Sequence, residues 1–351
     1  MTHEHFDATA LMALPSVKAG AQEERGFLIQ SRPFLISQIR QRGVDVGVTR
    51  GAPAIDEVEG IAKDVVVPRY LPEGLVLLDR LGDQSLADFN VIRNIVAPKN
   101  IDGFLPQLNP YALRMLGRNK SAAASELLAP AGGYDRQATF LKAEDDASTV
   151  HDRIASLPGD LVVAKPNSGM QSRGIIVGTK SEVERALQSR SADCLVEEKL
   201  DFSAPLPDIK AANESEQARL DEANAKGVNK ELRTYYFGNG VWDGVLRVAD
   251  EGAVDLSADE WLYIDLDTIP AELLEKGNKI IESIDRRFQT SEVNIAFDWA
   301  YASSASNPEP HWQIMEMNAG EAQLVTLTED HDTGSRHHIK LATQIARIAV
   351  S

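Results

Sequence analysis

Cysteine is almost absent from this sequence of 351 residues, with Cys194 as its single representative. One thiol cannot form an intrachain disulfide, and it cannot supply a multi-cysteine metal site. The sequence therefore excludes a disulfide-stapled scaffold. Because such cysteine usage is typical of a reducing compartment, we predict a cytoplasmic protein.

Basic residues and long apolar runs are scarce as well. Lysine and arginine number 36 against 53 aspartates and glutamates, and the formal net charge is -17. A surface of this sign disfavours broad binding to nucleic acid or anionic membranes, although a local site can still bind an anion such as ATP. No apolar run reaches the roughly 18 residues that a membrane span needs. Residues 1–16 lack the pattern of a signal peptide and are predicted to be a cytoplasmic start or a short tail. We expect no nucleic acid and no membrane partner.

What the sequence does contain is enough apolar material for a large core, with 43% hydrophobic residues. In the first third, strand-like segments at 26–30, 44–49 and 64–68 alternate with a helical pattern at 32–43. Strands separated by helices predict a parallel, doubly wound α/β sheet. A helical pattern over 109–130 follows.

The segment 161–200 predicts a compact α+β unit in the order strand, Gly/Ser loop, strand, helix and strand. Ser181 and Glu184 are predicted to form the capping box of its helix. Residues 201–230 are polar and show no strand pattern, so they fit either a surface insertion or a lid over the substrate.

Paired strands are predicted in the last third of the chain. Segments 231–238 and 241–249 are joined by Asn-Gly, a strong hairpin signal. A helix at 271–288 precedes two further strands at 293–302 and 311–319, which a polar loop joins.

Three oxygen-bearing residues occupy these last two apolar strands. Glu316 and Asn318 are two residues apart and therefore share one face of their strand. Asp298 joins that face if the two strands are antiparallel neighbours. Two carboxylates and an amide oxygen suit Mg²⁺, and burying them without a counterion would cost several kcal/mol. The alternative is a structural salt bridge.

A strand-end lysine precedes a glycine-containing loop in LVVAKPNSGMQSRG. Lys165 would place a fixed cation beside a backbone that Gly169 and Gly174 allow to approach phosphate oxygens. Arg173 is a second candidate phosphate contact. An ordinary surface turn is the alternative interpretation of this segment.

Two acids and a leucine end the strand CLVEEKL at residues 194–200. Glu197, Glu198 and Leu200 could form a hinge whose backbone pairs with an adenine edge. Taken alone, the segment is ordinary strand-end sequence.

The order of these features resembles the ATP-grasp superfamily over roughly residues 115–330. The shared order comprises Lys120, Lys165, the loop 168–174, the hinge 197–200, the pair Glu231 and Arg233, then Arg247, Asp298 and the E-x-N of 316–318. The resemblance implies a pre-ATP-grasp α/β domain at 1–118, a small ATP-grasp subdomain at 119–200, and a large subdomain at 201–351 with an insertion at 201–230.

The resemblance also implies roles for single residues. Lys120 and Lys165 would contact the α- and β-phosphates, helped by the loop with Gly169, Arg173 and Gly174. The backbone of Glu198 and Leu200, with Glu197, would contact adenine, and Glu231 would bind the ribose. Asp298, Glu316 and Asn318 would hold two Mg²⁺ ions, or Mn²⁺ in their place. Separately, the placement of Arg233 and Arg247 on adjacent hairpin strands suggests the hypothesis that they steady the γ-phosphate and the acylphosphate oxygens.

The activity implied by the resemblance is ATP-dependent ligation of a carboxylate to an amine through an acylphosphate, with release of ADP and phosphate. An ATP-grasp phosphotransferase and a non-catalytic nucleotide-binding protein are the alternatives. Small-molecule carboxylates and amines are the expected partners, and a homodimer is compatible with the family. After Asn318 the sequence reads AGEAQL instead of the N-x-S-P-G of peptide-forming members, so the substrates stay open.

Overall fold

The structure divides the chain into two compact units. It is a computed structural model that describes residues 8–14, 37–38, 40–50, 76–79, 113, 116–117, 119–167, 174–238, 240–249, 260–288, 293–319, 339 and 342–343. The first unit comprises Met1–Pro110, Ser291–Ile295 and Ala319–Ser351, and the second comprises Tyr111–Thr290 and Ala296–Asn318. The domain boundaries expected from the sequence stay a prediction.

The first unit contains a parallel sheet. Its strands are β1 (Ala8–Leu14), β2 (Val44–Arg50) and β3 (Val76–Asp79), in the order β2-β1-β3. Strand β2 confirms the strand predicted at 44–49. Strand β1 lies within residues 1–16, so the alternative of a short tail there was wrong. Alanine, leucine and methionine favour helices, so the segment ATALMAL carried no strand signal. The predicted strands at 26–30 and 64–68 lie outside the described residues.

A small antiparallel sheet opens the second unit. Its elements in chain order are α1 (Lys120–Ala123), which continues as a π-helical turn over Ala124–Leu128, then β4 (Ala138–Leu141), α2 (Ala147–Ala155), β5 (Leu161–Pro166), β6 (Ile176–Thr179), α3 (Lys180–Leu187) and β7 (Cys194–Glu198). The strand order is β4-β7-β5-β6. The strands predicted at 161–166 and 194–200 are confirmed.

One face of the small sheet packs against α2 and α3. The core between them includes Val162 and Val196 of the sheet, Val150 and Ile154 of α2, and Val183 of α3. Each such burial stabilises the fold by roughly 1.5–3 kcal/mol. Because side chains alternate across a strand, Lys165 and Glu197, the immediate neighbours of buried Ala164 and Val196, point to the opposite face.

Two helix starts differ from the prediction. Thr179, not Ser181, caps α3: its hydroxyl accepts a hydrogen bond from Glu182 N at 3.3 Å, and the Glu182 carboxylate accepts one from Thr179 N at 2.8 Å. The helix predicted over 109–130 is interrupted at Asn119, whose extended backbone makes it the N-cap of α1. In both cases the helix begins after a residue whose side chain accepts a hydrogen bond from an otherwise free backbone N–H group of the first turn.

A larger sheet follows in the sequence. Its elements are α4 (Glu214–Lys226), β8 (Lys230–Phe237), β9 (Gly240–Val248), β10 (Glu260–Tyr263), α5 (Ala271–Phe288), β11 (Asn294–Ala302) and β12 (His311–Asn318), with the strand order β10-β9-β8-β11-β12. The hairpin of β8 and β9 and the antiparallel pairing of β11 with β12 agree with the sequence.

Helix α5 presents an apolar face that includes Leu273, Ile280 and Ile284, each 0% exposed. Gly277 lies on this face, where a Cβ atom would stand 2.2 Å from the hydroxyl oxygen of Tyr236 on β8. Only a glycine permits so close an approach of the helix to the strand.

The polar segment 201–230 is joined to the large sheet. Isolated bridges pair Asp201 with Ser303 and Ala211 with Ile264. Helix α4 ends at Gly227, whose φ of 63° is left-handed, a conformation common at helix C-termini. The segment is thus packed into the second unit along part of its length.

No helix within the described ranges has the length and apolar character of a membrane span.

Candidate functional site

Lys120 and Lys165 are held together by a buried asparagine that follows β5. The backbone carbonyl of Asn167 accepts a hydrogen bond from Lys120 N at 3.0 Å, and its side-chain oxygen accepts one from Ser121 N at 2.9 Å. Its amide group donates to Asn119 Oδ1 at 3.1 Å. The start of α1 and the end of β5 are therefore fixed to each other. This brings together two lysines that are distant in the sequence.

A single small cavity collects four of the predicted site residues. Lys120, Lys165, Glu197 and Glu316 line it, together with Met315. The Lys120 ammonium donates to Glu316 Oε1 at 2.6 Å, and the Lys165 ammonium pairs with Glu197 Oε1. Two lysines of the small sheet region and an acid of β12 therefore converge.

Glu197 is the centre of a buried ionic cluster. The carboxylate accepts hydrogen bonds from Arg136 Nε at 2.9 Å and from the Tyr134 hydroxyl at 2.7 Å, besides its pair with Lys165. The Arg136 guanidinium also lies over the Tyr134 ring, 3.8 Å from its centroid. Burial alone would raise the pKa of Glu197, but Arg136 and Lys165 outweigh it and lower the pKa to about 2. Glu197 is therefore ionised at any physiological pH.

The side chain of Glu198 points away from this cluster and is fully engaged. Its carboxylate accepts hydrogen bonds from Gln137 N at 2.7 Å, from Ser306 N at 2.9 Å, and from the Ser306 hydroxyl. Leu200 is 3% exposed and packs with Ala300 and Ala302 of β11. Their predicted backbone contacts with adenine stay predictions.

Acids and arginines alternate on one face of the large sheet. Glu231 on β8 lies opposite Arg247 on β9, and Arg247 Nη1 donates to Glu231 Oε1 at 2.8 Å. Arg233 donates from Nε and Nη2 to the two carboxylate oxygens of Asp298, at 2.5 and 2.6 Å. Trp261 on β10 stands beside both guanidinium groups, its ring centroid 5.2 Å from Arg247 Cζ and 5.9 Å from Arg233 Cζ.

The acids that crowd this face contribute to a raised pKa of Glu231. Burial, followed by the neighbouring carboxylate of Asp298, raises the pKa of Glu231 to about 7, and the nearby Arg247 and Arg233 only moderate the rise. Glu231 therefore holds its proton to a higher pH than an exposed glutamate does.

Asp298 and Glu316 lie directly opposite each other on β11 and β12, and Asn318 lies opposite Ala296. The Asn318 amide donates to Asp298 Oδ2 at 2.9 Å. These three side chains offer the hard oxygen donors that Mg²⁺ prefers, and both carboxylates already attract cations, Arg233 and Lys120 respectively. The donor set therefore fits the predicted metal. Counting only His, Cys, Asp and Glu, no group of three or more arranged for a metal occurs in the described part of the chain.

Within the loop after Lys165, residues 168–173 lie outside the described residues. Gly174 has a φ of +78°, a left-handed conformation that favours glycine, and a Cβ there would lie 3.0 Å from Pro166. Gly169 and Arg173 lie outside the described residues.

Four residues that contribute to this arrangement were not singled out from the sequence. Tyr134 and Arg136 follow a Gly-Gly turn without any periodic pattern, and Trp261 sits in a four-residue strand. Asn167 did have a local signal, because asparagine directly after a strand often binds neighbouring backbone groups.

The fold is similar to those of several solved proteins. A D-cycloserine synthetase is similar, with a TM-score of 0.60 and 15% sequence identity over 96% of this chain and 99% of that one. A D-alanine–D-alanine ligase from Bacillus anthracis, solved as a complex with ATP, has a TM-score of 0.56 and 15% identity over 98% of this chain and 97% of that one. An ATP-grasp ligase, PsnB, complexed with a minimal precursor, Mg and ADP, has a TM-score of 0.56 and 12% identity over 98% of this chain and 97% of that one.

These likenesses are likenesses of fold. No protein-family model matches the sequence, and no curated protein matches it.

Proposed function

From its ATP-grasp fold, which the solved structures share, we propose that this chain is an ATP-dependent ligase. It would join a carboxylate to an amine through an acylphosphate and release ADP and phosphate. The observation that carries the proposal is the convergence of Lys120 and Lys165 with Glu316 of β12 in one cavity, with Asp298 of β11 directly opposite Glu316. Phosphoryl transfer needs positioning and charge neutralisation more than a protein nucleophile, and this arrangement offers both.

The lysines are proposed to bind the α- and β-phosphates. Lys165 is only 14% exposed and Lys120 15%, so both ammonium groups lie in a region where attraction to phosphate is weakly screened. Asn167 fixes their spacing. The loop containing Gly169, Arg173 and Gly174 is proposed to complete the phosphate contacts.

Asp298, Glu316 and Asn318 are proposed to hold Mg²⁺, which would neutralise phosphate charge when bound. Arg233 fixes the orientation of Asp298 by its two hydrogen bonds. Arg233 and Arg247 are proposed to steady the transferred phosphoryl group. Glu231 would accept hydrogen bonds from the ribose.

On the adenine side, the backbone of Glu198 and Leu200 is proposed to contact the base, with Glu197 beside it. Leu200 and Met315 offer apolar surface near this position, since both pack against the same alanines of β11. An apolar environment with a few placed polar groups is the usual character of a small-molecule site.

The test is a pairwise screen of carboxylates and amines for release of phosphate from Mg-ATP. We expect release of ADP and phosphate only when both substrates of a productive pair are present. A phosphorylated product would point to phosphotransfer instead, and ATP binding without turnover across the screen would point to a binding protein.

Calorimetry with Mg-ATP provides a test that needs no substrate. Lys165→Met should weaken binding by about tenfold or more, since a charge-assisted contact is lost. The matched control is Lys142→Met, because the Lys142 side chain is 58% exposed and pairs only loosely with Glu144, at 3.8 Å. Equal affinity of the two variants would contradict the assignment of Lys165.

A further inference from the structure

The small and large sheets of the second unit are joined through the segment 133–136. Its first contact is between backbones: Ile314 N on β12 donates to Gly133 O at 2.7 Å. Its second is Arg136, whose Nη1 donates to Ile314 O at 2.8 Å and whose Nη2 donates to Met315 O at 3.2 Å. Residues 133–136 thus cover the free edge of β12 immediately before Glu316.

The same arginine reaches the small sheet. Arg136 Nε donates to Glu197 Oε2 at 2.9 Å, while Glu197 Oε1 pairs with Lys165. The Arg136 side chain is 0% exposed. A continuous chain of contacts therefore runs from the Lys165 ammonium through Glu197 and Arg136 to the carbonyl of Met315, the residue next to Glu316.

The neighbouring glutamate makes a second tie. Consecutive strand residues point to opposite faces, so Glu197 and Glu198 leave β7 in opposite directions. Glu198 accepts hydrogen bonds from Ser306, in the loop between β11 and β12. Strand β7 is thus tied to the β11–β12 hairpin through both of its acids.

We propose that Arg136 is a positioning residue that sets the separation between the lysine side and the metal-ligand side of the ATP site. The inference rests on the proposed function, because it concerns the same site. Arg136 touches neither the phosphates nor the metal in this assignment. It acts through Glu197 and through the backbone of β12.

The planar guanidinium suits this task better than any other side chain. Its donors form a rigid fork, which allows one group to bind a carboxylate on one element and two carbonyls on another. A lysine ammonium is a compact charge on a flexible stem. It can keep the pair with Glu197, but it cannot span both elements.

The experiment measures the separation of the two sheets directly. Spin labels are placed at Ala186→Cys on α3 and Glu282→Cys on α5, both exposed, with Cys194→Ala removing the native thiol. Pulsed dipolar spectroscopy then gives the distance distribution with and without Mg-ATP. We expect one narrow distribution with Arg136 present and a broader one for Arg136→Met.

The control is Arg153→Met. Arg153 also binds a backbone carbonyl and a carboxylate, Phe140 O at 2.6 Å and Asp145 Oδ2 at 2.9 Å, but both lie within the small sheet region. Its distance distribution should equal that of the wild type. Calorimetry should show Mg-ATP binding weakened about tenfold by Arg136→Met and unchanged by Arg153→Met, since only the former loses preorganisation of the site.

Arg136→Lys decides the question if Arg136→Met does not fold. It should remain folded, broaden the distribution and recover only part of the affinity. An unchanged distribution and unchanged affinity in a folded Arg136 variant would overturn the inference. Failure of the wild type to bind Mg-ATP would instead overturn the proposed function. The label distances measured without Mg-ATP do not depend on nucleotide binding, so they still test the role of Arg136 in that case.

Discussion

Glu197 on the small sheet and Glu231 on the large sheet are both buried glutamates, 2% and 6% exposed, yet their titration differs. The pKa of Glu197 lies at about 2 and that of Glu231 at about 7. Burial raises the pKa in both places. Around Glu197, two cations and a phenol hydroxyl reverse that effect, whereas around Glu231 the carboxylate of Asp298 adds to it.

Since burial raises the pKa at both sites, the charges of the neighbouring side chains account for the difference between the two acids. In the ionic cluster around Glu197, the carboxylate keeps its charge throughout the physiological pH range, which suits a fixed connection between elements. The cluster around Glu231 on the large sheet instead holds a proton to a higher pH than an exposed acid would, because burial and Asp298 raise the pKa of Glu231.

The largest expected effect comes from removing an acid on the large sheet. Asp298→Asn keeps the shape of the side chain but removes its charge, so we expect turnover in the ligase assay to fall about 10²-fold or more. It should also lower the pKa of Glu231, whose rise Asp298 promotes. Asp285→Asn, exposed on α5, is the control. Equal turnover of the two variants would remove Asp298 from the site.

On the small sheet, Glu197→Gln should lower the free energy of unfolding at pH 7 by about 3 kcal/mol, because it leaves buried Arg136 without its counter-charge. The depressed pKa fixes the sign: this stabilisation is present above about pH 4.5, the unfolded value, and is lost as pH falls towards 2.

Urea unfolding of wild type and variant between pH 7 and pH 3 measures this difference. The two curves should approach each other at acid pH. A difference that stays constant over this range would contradict the low pKa of Glu197. Glu275→Gln, in an exposed pair with Lys279 on α5, should change little.

Glu231→Gln should show the opposite dependence. Because its pKa is raised, the stabilisation that Glu231 contributes is full below about pH 4.5 and is lost as pH rises through about 7. A glutamine does not titrate, so the variant should gain about 2 kcal/mol relative to wild type between pH 5 and pH 8. Parallel stability curves across this range would show that Glu231 is ionised throughout.

The smallest expected effect is that of Tyr134→Phe. It removes one of the hydrogen bonds to Glu197 and leaves both cations in place, so we expect a loss of about 1 kcal/mol in urea unfolding. A loss as large as that of Glu197→Gln would mean that the phenol, and not Arg136 and Lys165, holds the cluster together.

The sequence predicted those parts of the fold that local periodicity encodes. Strands β5 and β12 show apolar alternation interrupted by a charged residue, and α5 has a full amphipathic pattern. Among the described site residues, Asp298 and Glu316 came together because adjacent apolar strands joined by a short loop are usually paired.

The parts that were missed depend on contacts between distant segments. Arg136 binds backbone carbonyls of residues 314 and 315, and a carbonyl has no side-chain identity that a sequence can reveal. Strand β4 has four residues and β10 has four, too few for a period to be recognised. The helix cap was predicted at Ser181 and is Thr179, because both residues carry a hydroxyl that can cap a helix and they are only two positions apart.

Gly277 has a consequence for anyone who would engineer a more robust form of this protein. Replacing a helical glycine by alanine is a standard stabilising change, worth up to about 1 kcal/mol. Here the added methyl group would collide with the hydroxyl of Tyr236, which is 1% exposed and packed edge-on against Phe297. The substitution that a helix-propensity scale recommends first is therefore the one to leave out of a thermostabilised variant.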